Sequence, residues 1–212
     1  MSDHLAILDE LARSAVTCER CFQGKDLCRS FVDIPQPRYI GPGYWQAQQK
    51  VAFVMLNPGA GTDEWRNRDW REHLIAFRDR RSSLADVFDA QRRHMPFWSG
   101  GRLIGFLHLH ELDVDSAALI NIAWCATAGN RYPSWMLNQC FALHTRNWLE
   151  ELCPGFVILS GVASHAFERE VQMCLPESII FRSFHYAHRP LDAKRAASHA
   201  EEIAQELARL AK

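Results

Sequence analysis

Two amides and one imidazole fall at the ends of apolar runs in this sequence. Asn57 follows KVAFVML and opens Asn57-Pro58-Gly59. Asn121 lies inside AALINIA, which runs on to Trp124-Cys125. His185 follows SIIFR by way of Ser183-Phe184. An amide both donates and accepts, and an imidazole does either near neutral pH, so three such groups brought together suit a small polar ligand. Taken singly, each is as readily a turn residue or a buried polar group bonded to backbone. A second constellation is made of thiols. Cys18 and Cys21 form a C-x2-C pair, a spacing that lets two thiolates reach one metal centre. Cys125 and Cys140 are separated by fourteen residues that include the turn-rich ATAGNRYPS. Two such pairs make a four-thiolate site plausible, with Cys28 as a substitute ligand. Cys153 and Cys174 stand in apolar helical surroundings and read as core.

The elements that would hold these groups follow from hydrophobic patterning. Short apolar runs at 50–56, 117–123, 156–159 and 178–182 read as buried strands. Helical patterns cover 3–16, 101–112, 134–152 (with Ser134 as its cap), the stretch opening at VASHAFEREV, and 191–211. In the first helix Leu5, Leu8, Leu11 and Ala12 share one face. Residues 17–49 are irregular, and 63–92 are polar with helical stretches. Buried strands alternating with helices predict an α/β fold, a three-layer α/β/α sandwich around a central four-stranded parallel sheet. Such sheets bind ligands beyond the carboxyl ends of their strands, which is where Asn57, Asn121 and His185 fall.

The 212 residues, 48% hydrophobic and 23% charged, suit a single domain spanning 1–212 with a full core of its own, so a metal centre would serve a local purpose. The net charge of −1 argues mildly against a dedicated nucleic-acid binder, although phosphates respond to a local patch rather than to the total. The arginines between Arg66 and Arg93 are interleaved with acids and read as a salt-bridged helical surface. The opening residues do not resemble a signal peptide, and no apolar run is long enough to span a bilayer, so a cytoplasmic protein is expected. There disulfides are rare, and the seven cysteines are more naturally thiols or metal ligands. The sequence lacks a P-loop, a G-x-S-x-G elbow and a G-x-G-x-x-G after a strand, which leaves nucleotide-binding and hydrolase readings without support.

Several stretches together resemble the iron–sulfur (family 4-like) branch of the uracil-DNA glycosylase superfamily. They are the CERC pair, MPFWSGGRLIGFLHLHELDVDSAALINIAWC, CATAGNRYPSWMLNQC with its Asn-Arg-x-Pro turn between cysteines, FVILSGVASHAF, and IIFRSFHYAHRP. The order holds from Cys18 to Arg189. The resemblance implies a DNA base-excision glycosylase that hydrolyses the N-glycosidic bond of uracil, or of a related deaminated base, flipped out of DNA. It implies four cysteine ligands, Cys18, Cys21, Cys125 and Cys140, to a structural [4Fe-4S] cluster, with zinc as the alternative. Phe97 matches the aromatic that stacks on the flipped base, and Asn121 the amide that reads its edge. His185 matches the histidine that stabilises the departing base, with His188 as competitor. Arg131, His188 and Arg189 are candidate DNA contacts. A monomer acting on DNA, with no membrane partner, is expected.

The first motif differs from that branch. Met55-Leu56-Asn57-Pro58-Gly59 is similar to the Asn-Pro-Gly motif of the mismatch-specific, thymine and single-strand-selective glycosylases. There the Asn positions the attacking water, a role that passes by resemblance to Asn57, with backbone from Met55 to Gly59 against the base. Met55 replaces a glycine and Tyr186 a proline of the family patterns, and residues 62–94 have no family counterpart. No lysine falls in a matched position, so Schiff-base lyase chemistry is not expected. The rival expectations are a DNA-binding member of the superfamily without activity but with a structural metal site, and a member specific for another base such as hypoxanthine or xanthine.

Overall fold

The computed structural model describes residues 2–23, 27–59, 62–109, 112–186 and 193–210. Its helices are α1 (Ser2–Val16), α2 (Glu64–Arg78), α3 (Leu84–His94), α4 (Arg102–Leu109), α5 (Ser134–Cys140), α6 (Arg146–Leu152), α7 (Val162–His165), α8 (Glu168–Cys174) and α9 (Ala193–Leu210). Its strands are β1 (Val51–Met55), β2 (Ala117–Asn121), β3 (Phe156–Ser160) and β4 (Ile179–Ser183). The fold is of the expected α/β class: a four-stranded, all-parallel sheet in the order β2-β1-β3-β4, flanked by helices as in a three-layer sandwich. By contact density the chain divides into two compact units.

The sheet belongs to the unit formed by 39–55, 93–120 and 153–212. β1, β2 and β3 are buried along their whole length, as continuous Val/Ile/Leu/Ala runs require when both faces of a parallel sheet are covered. β1 pairs with β3 in the register Val51↔Phe156 to Val54↔Leu159, and β3 with β4 from Phe156↔Ile179 to Ser160↔Ser183. β4 is only partly covered, with Arg182 exposed. Along β2, the segment Tyr39–Gly41 runs antiparallel, with Leu119 N–H donating to Tyr39 O (2.7 Å) and Gly41 N–H to Ala117 O (2.9 Å). A Cβ on Gly41 would stand 2.2 Å from the Asp115 carbonyl oxygen, so only glycine lets this segment lie so close. The helix expected from Gly101 begins earlier, as a 3-10 turn over Met95–Gly101 that leads into α4.

The other unit comprises 1–38, 56–92 and 121–152 and is mainly helical. α1 packs on α2 and α6. Its expected apolar face is only partly the buried one: Leu8 and Ala12 are fully enclosed with Ala15 and Val16, while Leu5 and Leu11 are half-covered. Arg13 ties α1 to α2 and to the loop before α3. Its guanidinium pairs with Asp9, donates to Phe77 O (2.6 Å) and Ser82 O (3.1 Å), and lies 4.2 Å over the Phe77 ring. Residues 62–92 are integral to this unit, with Trp70, Leu74, Phe77, Leu84, Val87 and Phe88 buried. Their arginines pair as expected of a solvated helical surface: Arg66 with Asp63, Arg71 with Asp33, Arg78 and Arg81 with Asp79.

The single helix expected over 134–152 is interrupted. α5 and α6 are joined by a π turn, Phe141–Thr145, in which Arg146 N–H reaches back five residues to Phe141 O. The extra residue is captured by tertiary bonds, because Thr145 Oγ1 donates to Asn121 O (2.8 Å) and Ile122 O (3.1 Å) and accepts from Trp124 Nε1 (3.1 Å). Ser134 is not the cap. Pro133 holds that position with extended backbone and Ser134 is the first helical residue, which suits proline's fixed φ and missing N–H.

Candidate functional site

The thiol site lies within the helical unit. The C-terminus of α1 turns at Cys18, whose N–H bonds to Ala15 O, and the next turn, Phe22 N–H to Glu19 O, carries Cys21. Cys125 follows β2, and Cys140 ends α5 with its sulfur accepting from Trp124 N–H at 3.2 Å. Cys18, Cys21, Cys125 and Cys140 line one small cavity together with Pro35, Leu143 and His144. None of the four is in a disulfide. Burial, reinforced by the neighbouring cysteines, pushes the Cys125 thiol well up and the Cys140 thiol to about 12. Buried thiols crowded in this way stay protonated unless a cation compensates the thiolates. Burial also lowers His144, to about 4.

Among the described residues no group of three or more His, Cys, Asp or Glu side chains is set for one metal ion; the four thiols share the wall of a cavity instead. That donor set matches the four-cysteine ligation of a [4Fe-4S] cluster. The remaining cysteines stand elsewhere. Cys28 is exposed and does not line the cavity, so it is no substitute ligand. Cys153 and Cys174 are not core as expected: Cys153 is exposed, just beyond the C-terminus of α6 with a left-handed φ of 44°, and Cys174 is half-exposed at the end of α8.

Asn57 is held by the Asn-Arg-x-Pro turn. Its Nδ2 donates to Asn130 Oδ1 (3.0 Å) and to Tyr132 OH (2.9 Å). With both N–H positions engaged, Oδ1 is the atom presented to a water or ligand. The turn is built for this. Gly129 (φ 68°) and Asn130 (φ 55°) both adopt the left-handed conformation, which Gly and Asn tolerate best. Tyr132 OH also accepts from Thr127 N–H (3.2 Å) and donates to Cys125 O (3.3 Å). Burial raises the Tyr132 phenol, keeping it a donor at neutral pH. A path of two hydrogen bonds thus joins the backbone of a cavity cysteine to the Asn57 amide. Asn130 and Tyr132 were not foreseen as site residues; the signal was the turn motif itself, from which only Arg131, whose side chain is exposed, had been drawn.

Asn121, at the end of β2, is completely enclosed. The segments that follow β1 and β2 run side by side, with Ala123 N–H donating to Leu56 O at 2.8 Å. Gly59 has a left-handed φ of 73°, and a Cβ there would meet nothing within 4 Å, so its backbone angle rather than close packing calls for glycine.

In the sheet unit, His185 follows β4, half-buried, with its ring stacked on Tyr186 at 4.5 Å. Tyr186 therefore supports the imidazole face. Gly161 lies beneath: its φ is 97°, and a Cβ would stand 3.1 Å from His185 Cβ. The segment before His185 is fixed by backbone atoms. Gly161 N–H donates to Ser183 O (2.9 Å), Ser160 Oγ to Phe184 O (2.9 Å), and the His165 Nε2 contacts Leu159 O and Ser183 O (3.1 and 2.9 Å). His199 Nε2 meets Ser183 Oγ at 3.1 Å. His165 and His199 are organisers that sequence reasoning did not single out. Phe97 is half-exposed on the 3-10 turn rather than in the core, whereas Met55 is buried. His188 and Arg189 lie outside the described residues. Among the described residues no helix is long and apolar enough to cross a membrane. In comparisons with known proteins, no family model matches this chain, and no curated protein matches it.

Proposed function

We propose that this protein is a DNA glycosylase of the uracil-DNA glycosylase superfamily, acting on uracil or a related deaminated base extruded from DNA, with a structural [4Fe-4S] cluster in the four-cysteine cavity. The observation that carries this reading is the bonded path from Cys125 through Tyr132 to Asn57. It joins the two constellations that the motifs assign separately, a thiol site and a water-holding amide. When bound, the cluster supplies rigidity, pinning the CERC turn and the loop between Cys125 and Cys140.

The chemistry then rests on side chains. The target nucleotide leaves the stack, at a cost of a few kcal/mol in unstacking. The exposed Phe97 ring offers a stacking surface. Asn57 Oδ1 accepts a hydrogen bond from one water and aims its oxygen at the sugar C1′; an amide is too weak a base to do more. As the C1′–N1 bond breaks, its electron pair stays on the base, and His185 donates to the carbonyl oxygen where charge develops. Water oxygen bonds C1′, its proton passes to solvent, and an abasic site remains. The resemblance gives Asn121 the reading of the base edge, although its side chain is enclosed. That enclosure also favours the second reading, a DNA-binding member that does not process uracil.

Release of uracil from single- and double-stranded oligonucleotides tests both. The expected result is release by the wild type and a fall of about 10²–10³-fold for His185→Ala, the scale of losing one oxyanion donor. For Asn57→Ala a fall of about 10²-fold is expected, the scale of misplacing a reactant. A folded wild type that releases no uracil from either substrate sinks the uracil assignment. Retained binding to DNA would then favour the second reading.

A further inference from the structure

The cavity that holds the four cysteines has a fifth polar wall. His144 lines it, and its Nε2 is a buried atom with no hydrogen-bond partner among the described residues. Buried polar atoms nearly always find a partner, so an unpaired ring nitrogen on a residue that lines the thiol cavity marks where a partner belongs. The local backbone explains its presence. The π turn adds a residue between α5 and α6, and Thr145 is drawn to the carbonyls at the end of β2 while Leu143 and His144 face the cavity. The Trp124 ring, 5.7 Å away and tilted by 45°, backs the imidazole.

We infer that His144 donates a hydrogen bond from Nε2 to a sulfur of the cluster and so sets its reduction potential, an inference that rests on the cluster reading above. Reduction adds negative charge to the cluster, and a donor on a sulfur stabilises the reduced form more than the oxidised one. With four cysteines present as ligands, the histidine is left to tune rather than to ligate.

The test uses the full chain, reconstituted anaerobically with iron and sulfide, as wild type, His144→Leu and His144→Gln. Metal and sulfide contents are measured beside the midpoint potential by film voltammetry. All three proteins should hold equal iron and sulfide. The Leu variant should shift to a more negative potential, and the Gln variant, which keeps a donor, should return toward the wild type. A fully loaded Leu variant with an unchanged potential overturns the inference. So does a Leu variant that loses iron while the cysteines are intact, since His144 would then be a ligand. Wild-type protein that takes up no iron and sulfide, or that takes up zinc and stays colourless, sinks the cluster reading itself and is recognised from the contents alone.

Discussion

Asn57 and His185 are held by different means. Asn57 depends on side chains: an amide and a phenol from one turn, the phenol also donating to the Cys125 carbonyl. His185 depends on main chain: Gly161, the carbonyls of Leu159 and Ser183, and a serine hydroxyl on the Phe184 carbonyl. Support by side chains can be lost piecemeal, because removing a thiol or its ligand loosens the turn and with it the amide. Support by a parallel sheet is lost only when the sheet opens. The two candidate catalytic groups should therefore respond differently to the same disturbances.

The sharpest way to break this comparison is to remove the proposed cluster. Replacing Cys125 by Ser, or chelating iron from loaded protein, should expose the amides of Thr127, Ala128 and Asn130 to rapid hydrogen exchange while β1 and β3 keep their protection. Exchange read by mass spectrometry checks it, and equal loss in both places would mean that the cysteines support the whole molecule. Gly161→Ala should act in the opposite place. A side chain at φ 97° that meets His185 Cβ at 3.1 Å should cost about 1–3 kcal/mol in denaturant unfolding and displace the imidazole, with metal content unchanged. The smallest change is Tyr132→Phe, which removes one acceptor for Asn57 and Thr127. A loss of about 1 kcal/mol and a roughly tenfold lower kcat with KM near the wild type are expected. A KM effect alone would assign Tyr132 to DNA binding.

Much of the fold is legible in the sequence because buried parallel strands announce themselves. KVAFVML, AALINIA and FVILS each carry only one polar residue, and the burial of their strands on both faces follows directly. The half-covered β4 is equally clear from SIIFR, though its boundary slips by one residue. What escaped is set at long range. No local pattern announces the π turn, because it exists to bring Thr145 to carbonyls more than twenty residues back. Pro133 in place of Ser134 as cap, and Cys153 at the surface instead of inside, follow from how the chain leaves α6 and enters α5 rather than from composition. Convergence of the four cysteines on one cavity agrees with their motif spacing. The partners of Asn57 and the segment under His185 needed coordinates, since a hydrogen bond across seventy-five residues leaves no mark in a window of ten.

The antiparallel segment along β2 has a meaning for colloidal behaviour. A bare strand edge is a template on which a second molecule can add its own strand and start a polymer. Tyr39–Gly41 occupies that template on the β2 side with the chain's own backbone, and the missing side chain at Gly41 lets it seat. A single glycine, remote in sequence from the strand it covers, thereby helps close that edge to the strand of a second molecule.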